Sequence, residues 1–510
     1  MSLDQSRNNM IALAATCLAA LMFGLEISSV PVILPTLERV LGADFQDMQW
    51  IMNAYTIACT TVLMATGTLA DRFGRRRVFA ASTVAFAVTS LFCGVAPNAF
   101  LLIVARFAQG MAGGAMFICT IAVLSHQFQE GRERGRAFAI WGVIAGIGLG
   151  FGPVIGGAII ALSTWQWVFL VHVPLAAVTL ILTQAGVRES RDPDAKHLDL
   201  LGIATLTASV FCLTFYITQG ADLGFSSLAG LAILAAAAAS FVAFIFAENL
   251  NPHPMFDFSV FKVRNFSGAI IGCIGMNFSY WPFMIYLPIY FTIGLGYDST
   301  VTGLVLLAYT VPFLVMTPVA QYLLHRYGAR TVIPLGLFTI GLGFLLMRFG
   351  SALLDASWLT MLPGALLAGI GIGLTSTPVT DTTTGSVSAD RAGMASGIDT
   401  SARLIALAIN IAVMGFVLVE GVLAYLKSAL PPALDAIELR SLAQGIAAGS
   451  VTSLDQKLPG ALDTSGAILH AALTHGFGWV MLYGGIGVWI LAALSFVIFS
   501  PAKKRSPIAG

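Results

Sequence analysis

Leu21–Leu37, LMFGLEISSVPVILPTL, puts a carboxylate in the middle of an apolar run. Between Ile11 and Leu34, Glu26 is the only charged residue. A run of that length reads as a membrane-spanning helix, because about 20 residues cross a hydrocarbon core of ~30 Å. An acid inside such a helix costs about 2.5–3.5 kcal/mol on insertion scales, so it normally faces a cavity or a partner and serves a function. Removal from water also favours the neutral form of a carboxyl, which makes proton loading a candidate role for Glu26.

The rest of the composition agrees with a membrane setting. The 510 residues are 57% hydrophobic and 10% charged, where a soluble domain carries roughly 25% charged residues. The expected class is an all-α polytopic membrane protein. A formal net charge of +1 gives no sign of a nucleic-acid partner. All six cysteines fall in apolar runs and read as small packing residues rather than a disulfide framework. The N-terminal apolar run is too long for a signal-peptide core and lacks a convincing small-residue cleavage site, so it is expected to be retained.

Apolar runs separated by polar breaks give fourteen expected spans. They lie near 11–34, 48–70, 78–96, 98–125, 137–161, 166–187 and 200–219 in the first part of the chain. The remainder lie near 227–247, 265–293, 301–323, 333–349, 357–380, 393–426 and 468–499. With this alternation, most Lys and Arg residues collect on one face, and the positive-inside rule then places both termini in the cytoplasm.

The second span carries Trp50, Asn53 and Tyr55 and ends in Gly67–Arg77, GTLADRFGRRR. Gly67 and Gly74 permit close approach and a tight turn. Asp71 can accept hydrogen bonds from a helix start or a facing arginine, while Arg72, Arg75 and Arg76 would also serve as a simple positive-inside anchor. In the fourth span, LLIVARFAQGMAGG, Arg106 lies ~12 Å from the expected outer end at ~1.5 Å per residue. Glu26 comes out at similar depth and is the one candidate counter-charge buried deep in the first part of the chain. Backbone carbonyls that fix helix packing are the plainer alternative for Arg106. The fifth span, GIGLGFGPVIGG from Gly146, spaces Gly148, Gly152 and Gly156 so that helices can touch backbone to backbone. Pro153 in the same span removes a helical hydrogen bond.

These stretches resemble motifs of the major facilitator superfamily. The Gly67–Arg77 loop is similar to that family's signature loop, which implies a gating role in latching two halves. Arg106, Gln109, Gly110 and Gly113 fit the R-x-x-Q-G-x-x-G pattern, which implies proton transfer. Gly148, Gly152, Pro153, Gly156 and Gly157 resemble the helix motif of antiporters rather than symporters. Leu25–Pro35, LEISSVPVILP, is similar to the first-helix motif of the fourteen-helix drug/proton antiporters, with Glu26 in place of Asp and Pro31 in place of Asn. Trp165–Pro174, WQWVFLVHVP, resembles another stretch of that branch, with Gln166 and His172 replacing Arg and Asn. His172 is a possible titrating group, and an interfacial histidine is the plainer reading.

Gln321–Arg330, QYLLHRYGAR, is a degraded copy of the first loop and follows the tenth span. That spacing implies six helices in 1–187, a linker with two inserted helices in 188–264, and six more in 265–510. The inserted pair looks like filler. In the ninth span, MNFSYWPFMIYLPIYF, the residues Asn277, Tyr280, Trp281 and Met284 share a face at helical spacing. With Asn53, Tyr55 and Gln109 they form the expected substrate cavity, since aromatic faces suit lipophilic cations. Core packing with an outer aromatic belt is the alternative. Asp381 and Asp399 read as solvated or capping, and Glu420 as a weaker coupling candidate. Residues 427–467 are either an external lid or a tolerated insertion.

The function implied is proton-coupled export of small lipophilic, cationic compounds from the inner membrane, with no catalytic residue, metal or nucleotide. Protons would be the coupling ion, and membrane lipids and the transported molecule the partners. An accessory periplasmic protein is left open. An ATP-driven pump is disfavoured because no G-x-x-x-x-G-K-[ST] sequence occurs. Proton-coupled transport of a specific metabolite is the alternative.

Overall fold

The computed structural model describes residues 3–128, 131–190, 199–251, 258–353, 356–387, 392–430, 435–448 and 467–499. Among these residues the secondary structure is entirely helical. The first set comprises α1 (Leu3–Leu41), α2 (Phe45–Phe73), α3 (Arg75–Gly94), α4 (Ala99–Gln127), α5 (Gly131–Leu162), α6 (Trp167–Leu170) and α7 (His172–Gly186). A pair follows, α8 (Leu200–Leu223) and α9 (Leu228–Leu250). The last set is α10 (Arg264–Phe278), α11 (Tyr280–Ile289), α12 (Ser299–Tyr327), α13 (Ala329–Ser351), α14 (Trp358–Gly385), α15 (Ala392–Ala429), α16 (Ala436–Ala448) and α17 (Ala467–Ile498).

Among the described residues, 13 helices are long and apolar enough to cross a membrane. Fourteen spans are expected from the sequence; α2 is continuous over 29 residues and is not counted among the 13 because several of its side chains lie outside the described residues. Two expected spans are broken rods. Pro174 offers no N–H to the Leu170 carbonyl, and the rod divides at Val171 into α6 and α7. Pro282 likewise leaves the Phe278 carbonyl without its helical donor, and the chain breaks at Ser279 between α10 and α11. This break separates Asn277 from Tyr280, Trp281 and Met284, so the single helical face expected for the four is interrupted.

The glycines of α5 serve two neighbours. On one face a Cβ at Gly148 would lie 2.7 Å from the Leu21 carbonyl oxygen, and one at Gly156 would lie 2.9 Å from that of Ser29. Only hydrogen fits there, and α1 and α5 therefore touch along their backbones. On the other face Gly146 and Gly150 lie against Leu314 and Thr310 of α12. A Cβ at Gly303 of α12 would in turn meet the Pro153 carbonyl oxygen at 3.0 Å. Pro153 and Gly157 are buried in the same helix. Thus α5 lies between the helix that carries Glu26 and the last set of helices.

A second seam joins α2 to α11 and α15. Gln49 Nε2 donates to the Tyr286 hydroxyl at 3.0 Å, and that hydroxyl donates to the Ile411 carbonyl at 2.6 Å. The α8–α9 pair is more than filler, because α8 packs along this seam. Ile57, Val210 and Ala408 of α2, α8 and α15 form one buried cluster, and Trp50 lies 5.6 Å from the Phe211 ring. The segment 427–467 contains α16, which buries Leu442, Ala443 and Ile446 and packs on α15, α2 and α17. Residues 431–434 and 449–466 of that segment lie outside the described residues.

Candidate functional site

Glu26 and Arg106 are both fully buried and form an ion pair, Arg106 Nη1 donating to Glu26 Oε1. The arginine is held from three further directions. Its Nε donates to the Ile51 carbonyl at 3.0 Å, and Nη1 also donates to Gln109 Oε1 at 2.8 Å. Its guanidinium carbon sits 4.3 Å from the centre of the Tyr55 ring, close enough for cation–π attraction. Gln109 Nε2 donates to Ser90 Oγ at 2.9 Å. The counter-charge and the packing reading of Arg106 are thus combined: one carboxylate and one carbonyl share it. Close approach of α2 and α4 makes this possible, because Gly110 packs directly on the Tyr55 backbone, and Gly113 on the Tyr55 hydroxyl.

His172 completes the cluster and corrects an expectation. It is fully buried rather than interfacial. Its Nδ1 stands 3.1 Å from Glu26 Oε2 and 3.2 Å from the Phe169 carbonyl oxygen. The sequence signal was His172 itself, at the N-terminal side of a Pro-containing span, but nothing in the spacing placed it on Glu26.

The cavity residues divide. Tyr55 and Gln109 belong to the Glu26–Arg106 cluster. Asn53 is fully buried, and neither atom of its amide has a hydrogen-bond partner. In α10 and α11, Asn277 Nδ2 donates to the Cys273 carbonyl at 2.9 Å, and Tyr280 donates to the Tyr309 carbonyl at 3.0 Å. The Tyr280 ring meets Trp281 edge-on and lies tilted 4.7 Å from the Tyr309 ring, and Met284 is buried. The contacts found for Asn277 and Tyr280 are those of packing, and none of them reaches the Glu26 cluster. A crevice of about 250 Å³ lies between α2, α4 and α8, with Trp50, Ala54, Ile103, Phe107 and Phe211 among its apolar walls.

The Gly67–Arg77 stretch caps α2 and starts α3. Gly74 adopts φ +110°, a conformation that disfavours a side chain, and its N–H donates to the Ala70 carbonyl at 3.0 Å. The Glu189 carboxylate accepts from the Arg76 backbone N–H at 3.1 Å and lies 3.6 Å from Arg77 Nε. Arg75 N–H donates to the Ser190 carbonyl at 3.0 Å, and Arg76 Nη2 donates to Gln184 Oε1. These contacts join the loop to the end of α7. Arg72 is exposed over the Phe73 ring. The side chains of Gly67 and Asp71 lie outside the described residues. Glu189 went unnoticed in its charged linker, although an acid is favoured at a helix N-terminus.

Asp399 is neither solvated nor a cap. It is 2% exposed and pairs with Arg403 at 3.0 Å, both bonded to Thr380. Glu420 pairs with Arg440 of α16 at 2.5 Å.

A polytopic bundle with a charged pair sealed in its interior defines a membrane transporter rather than an enzyme. The chain belongs to the Major Facilitator Superfamily, whose family model matches residues 16–410. It is 32% identical to the multidrug resistance protein Stp of Mycobacterium tuberculosis over 84% of this chain and 79% of that one. It is 27% identical to the tetracenomycin C resistance and export protein of Streptomyces glaucescens, over 97% and 93% of the two chains. It is 30% identical to the puromycin resistance protein pur8 of Streptomyces alboniger, over 80% and 81%. Among solved structures, tetrameric PepTSo2 matches 96% of this chain and 98% of its own at a TM-score of 0.59 and 12% identity, a likeness of fold alone.

Proposed function

We propose that this protein is a proton-coupled antiporter that exports small lipophilic, cationic compounds by alternating access. The observation that carries the proposal is the Glu26–Arg106 pair, closed off from solvent in the membrane-spanning bundle. Full burial of an ion pair is weak support for stability, because desolvation offsets much of the Coulomb attraction. Its retention is better explained by work done when the pair opens. A proton arriving from outside neutralises Glu26 and releases Arg106, and loss of that proton toward the cytoplasm restores a carboxylate that favours a cationic substrate. A ligand moves such an equilibrium only through differential affinity for the two states.

Support for export comes from relatives named for drug and antibiotic resistance, and from α5, whose Gly-Pro motif touches both α1 and α12. The aromatic, apolar crevice between α2, α4 and α8 suits lipophilic compounds. The same reading makes α2 the fourteenth span, in the drug/proton antiporter branch. It divides the chain into residues 1–187, an inserted pair within 188–264 and residues 265–510, with both termini cytoplasmic in the inner membrane. Protons are the coupling ion, and no nucleotide or metal is required.

The test is ethidium transport in everted vesicles under an imposed pH gradient. Wild type is expected to take up ethidium and release lumenal protons, and Glu26→Gln to fall below a tenth of that flux at equal protein. Ethidium movement unchanged in Glu26→Gln would remove the carboxyl from the mechanism. A growth screen against dyes, quaternary ammonium compounds and antibiotics then ranks substrates.

A further inference from the structure

We propose that His172 is a second proton-binding group of the coupling site, sharing the Glu26 carboxylate with Arg106. This rests on the proton-coupled reading above and deepens it. The imidazole is fully buried, with Nδ1 at 3.1 Å from Glu26 Oε2 and at 3.2 Å from the Phe169 carbonyl oxygen. Two acceptors face Nδ1, so Nδ1 carries the hydrogen in the neutral ring. Nε2 then holds the lone pair, and it is buried with no hydrogen-bond partner. That is an acceptor oriented away from Glu26 and ready for a proton.

The charges around the ring decide where a proton settles. From α1 comes Glu26, and from α4 comes Arg106. The Tyr55 phenol and Cys59 thiol of α2 and the Cys93 thiol of α3 lie within electrostatic reach of that pair. Otherwise α3 meets the ring with the edge of Phe86, 5.5 Å between centroids, and α6 offers only the Phe169 carbonyl. His172 is the only titratable residue of α7. A proton placed on Glu26 strips Arg106 of its counter-charge in a sealed site. A proton placed on Nε2 leaves that pair formed and sets a positive ring 3.1 Å from Glu26 Oε2, the carboxylate oxygen that Arg106 does not hold. Repulsion from Arg106 opposes this, but the carboxylate lies between the two cations and shields them. Protonation of the site therefore begins at His172, ahead of the proton that neutralises Glu26. It converts imidazole and a proton to imidazolium, with no other bond broken. The carboxylate then divides between two cations, which loosens its hold on Arg106.

The experiment uses the full chain in lipid nanodiscs with ¹⁵N-labelled histidine. The seven histidines are separated by the signal lost in His172→Asn, which keeps hydrogen-bonding groups but does not titrate. The expected result is a His172 that is neutral with a protonated Nδ1 at pH 8 and doubly protonated at pH 5.5. In Glu26→Gln the doubly protonated fraction at pH 5.5 should fall by about tenfold, because the counter-charge is gone. The pH profile of ethidium flux between pH 8 and pH 5.5 should flatten in His172→Asn. A ring that stays neutral at pH 5.5, while Glu26→Gln still abolishes flux, overturns the His172 assignment and leaves coupling at Glu26 standing. A ring that titrates equally in wild type and Glu26→Gln also overturns it. Normal flux in Glu26→Gln removes the coupling reading and this proposal together.

Discussion

Ser28 Oγ donates to the Gly148 carbonyl at 3.0 Å, across the line where α1 and α5 touch. The same hydroxyl donates to Gly24 O of its own helix at 2.9 Å. The helix that carries Glu26 is thereby held to the helix that contacts α12, through a carbonyl exposed by the absence of a side chain at Gly148. Movement of the last set of helices therefore has a direct path to the carboxylate, because packed backbones shift as units.

Replacing Gly148 tests that path. A Cβ there would sit 2.7 Å from the Leu21 carbonyl oxygen and 3.2 Å from Gly24 Cα. Backbone cannot yield as a flexible side chain does, so Gly148→Val is expected to push α1 and α5 apart at a cost of about 1–3 kcal/mol. Ser28→Ala, which removes hydrogen bonds but keeps the contact, should cost only about 0.6 kcal/mol. Thermal unfolding in detergent should rank wild type above Ser28→Ala and both above Gly148→Val. Equal midpoints for the two variants would show that α1 and α5 have room to separate.

Removing Arg106 isolates a buried carboxylate. Breaking a buried pair by deleting one partner costs about 3–5 kcal/mol, because the remaining charge is uncompensated. In Arg106→Gln the buried Glu26 carboxylate keeps only the His172 ring beside it. The variant should melt well below wild type, and the double variant Glu26→Gln/Arg106→Gln should recover most of that loss. A double variant no more stable than Arg106→Gln would mean that carbonyl and ring contacts, rather than charge, dominate the arginine.

The Glu26–Arg106 pairing was legible because helix rise converts residue number into depth, and two isolated charges at one depth in neighbouring spans have few other partners. The glycine stripe was legible for a similar reason: its period is that of a helix face. What was hidden depended on breaks and on contacts distant in sequence. His172 was visible, but its contacts with Glu26 of α1 and Phe86 of α3 lie far away in the chain. Pro282 was visible too, yet the break it causes at Ser279 undid the face drawn through Asn277 and Tyr280. Asp399 was placed near a helix end, where water is the default partner, and Arg403 one turn later buried it instead. Glu189 and α16 lay in polar stretches whose docking surfaces are formed by helices far away in the chain.

Glu189 at the start of α3 gives a smaller and more local effect. Its carboxylate accepts from the Arg76 N–H and faces Arg77, whose side chain is largely exposed. Loss of such a cap costs about 0.5–2 kcal/mol, and the ionic part is screened by salt. Glu189→Ala should speed amide exchange at Arg75–Val78 in nanodiscs, with Glu189→Gln intermediate and the gap between the two narrowing at high salt. Unchanged exchange at these amides would assign their protection to the Ser190 and Gly74 backbone contacts alone.

The Glu420–Arg440 pair links α16 to α15. Both side chains are partly exposed, 29% and 26%, so the pair itself contributes about 0–1 kcal/mol. Most of the docking comes from Leu442, Ala443 and Ile446, which are almost fully buried. Arg440→Ala should leave the melting midpoint within about a degree or two while raising amide exchange across Ala436–Ala448 a few-fold. Leu442→Asp, which puts a charge into the apolar contact, should release the helix entirely and bring exchange there to the rate of unstructured chain. If Arg440→Ala alone releases α16, the ion pair holds the segment, and the apolar face of α16 contributes less than its burial implies.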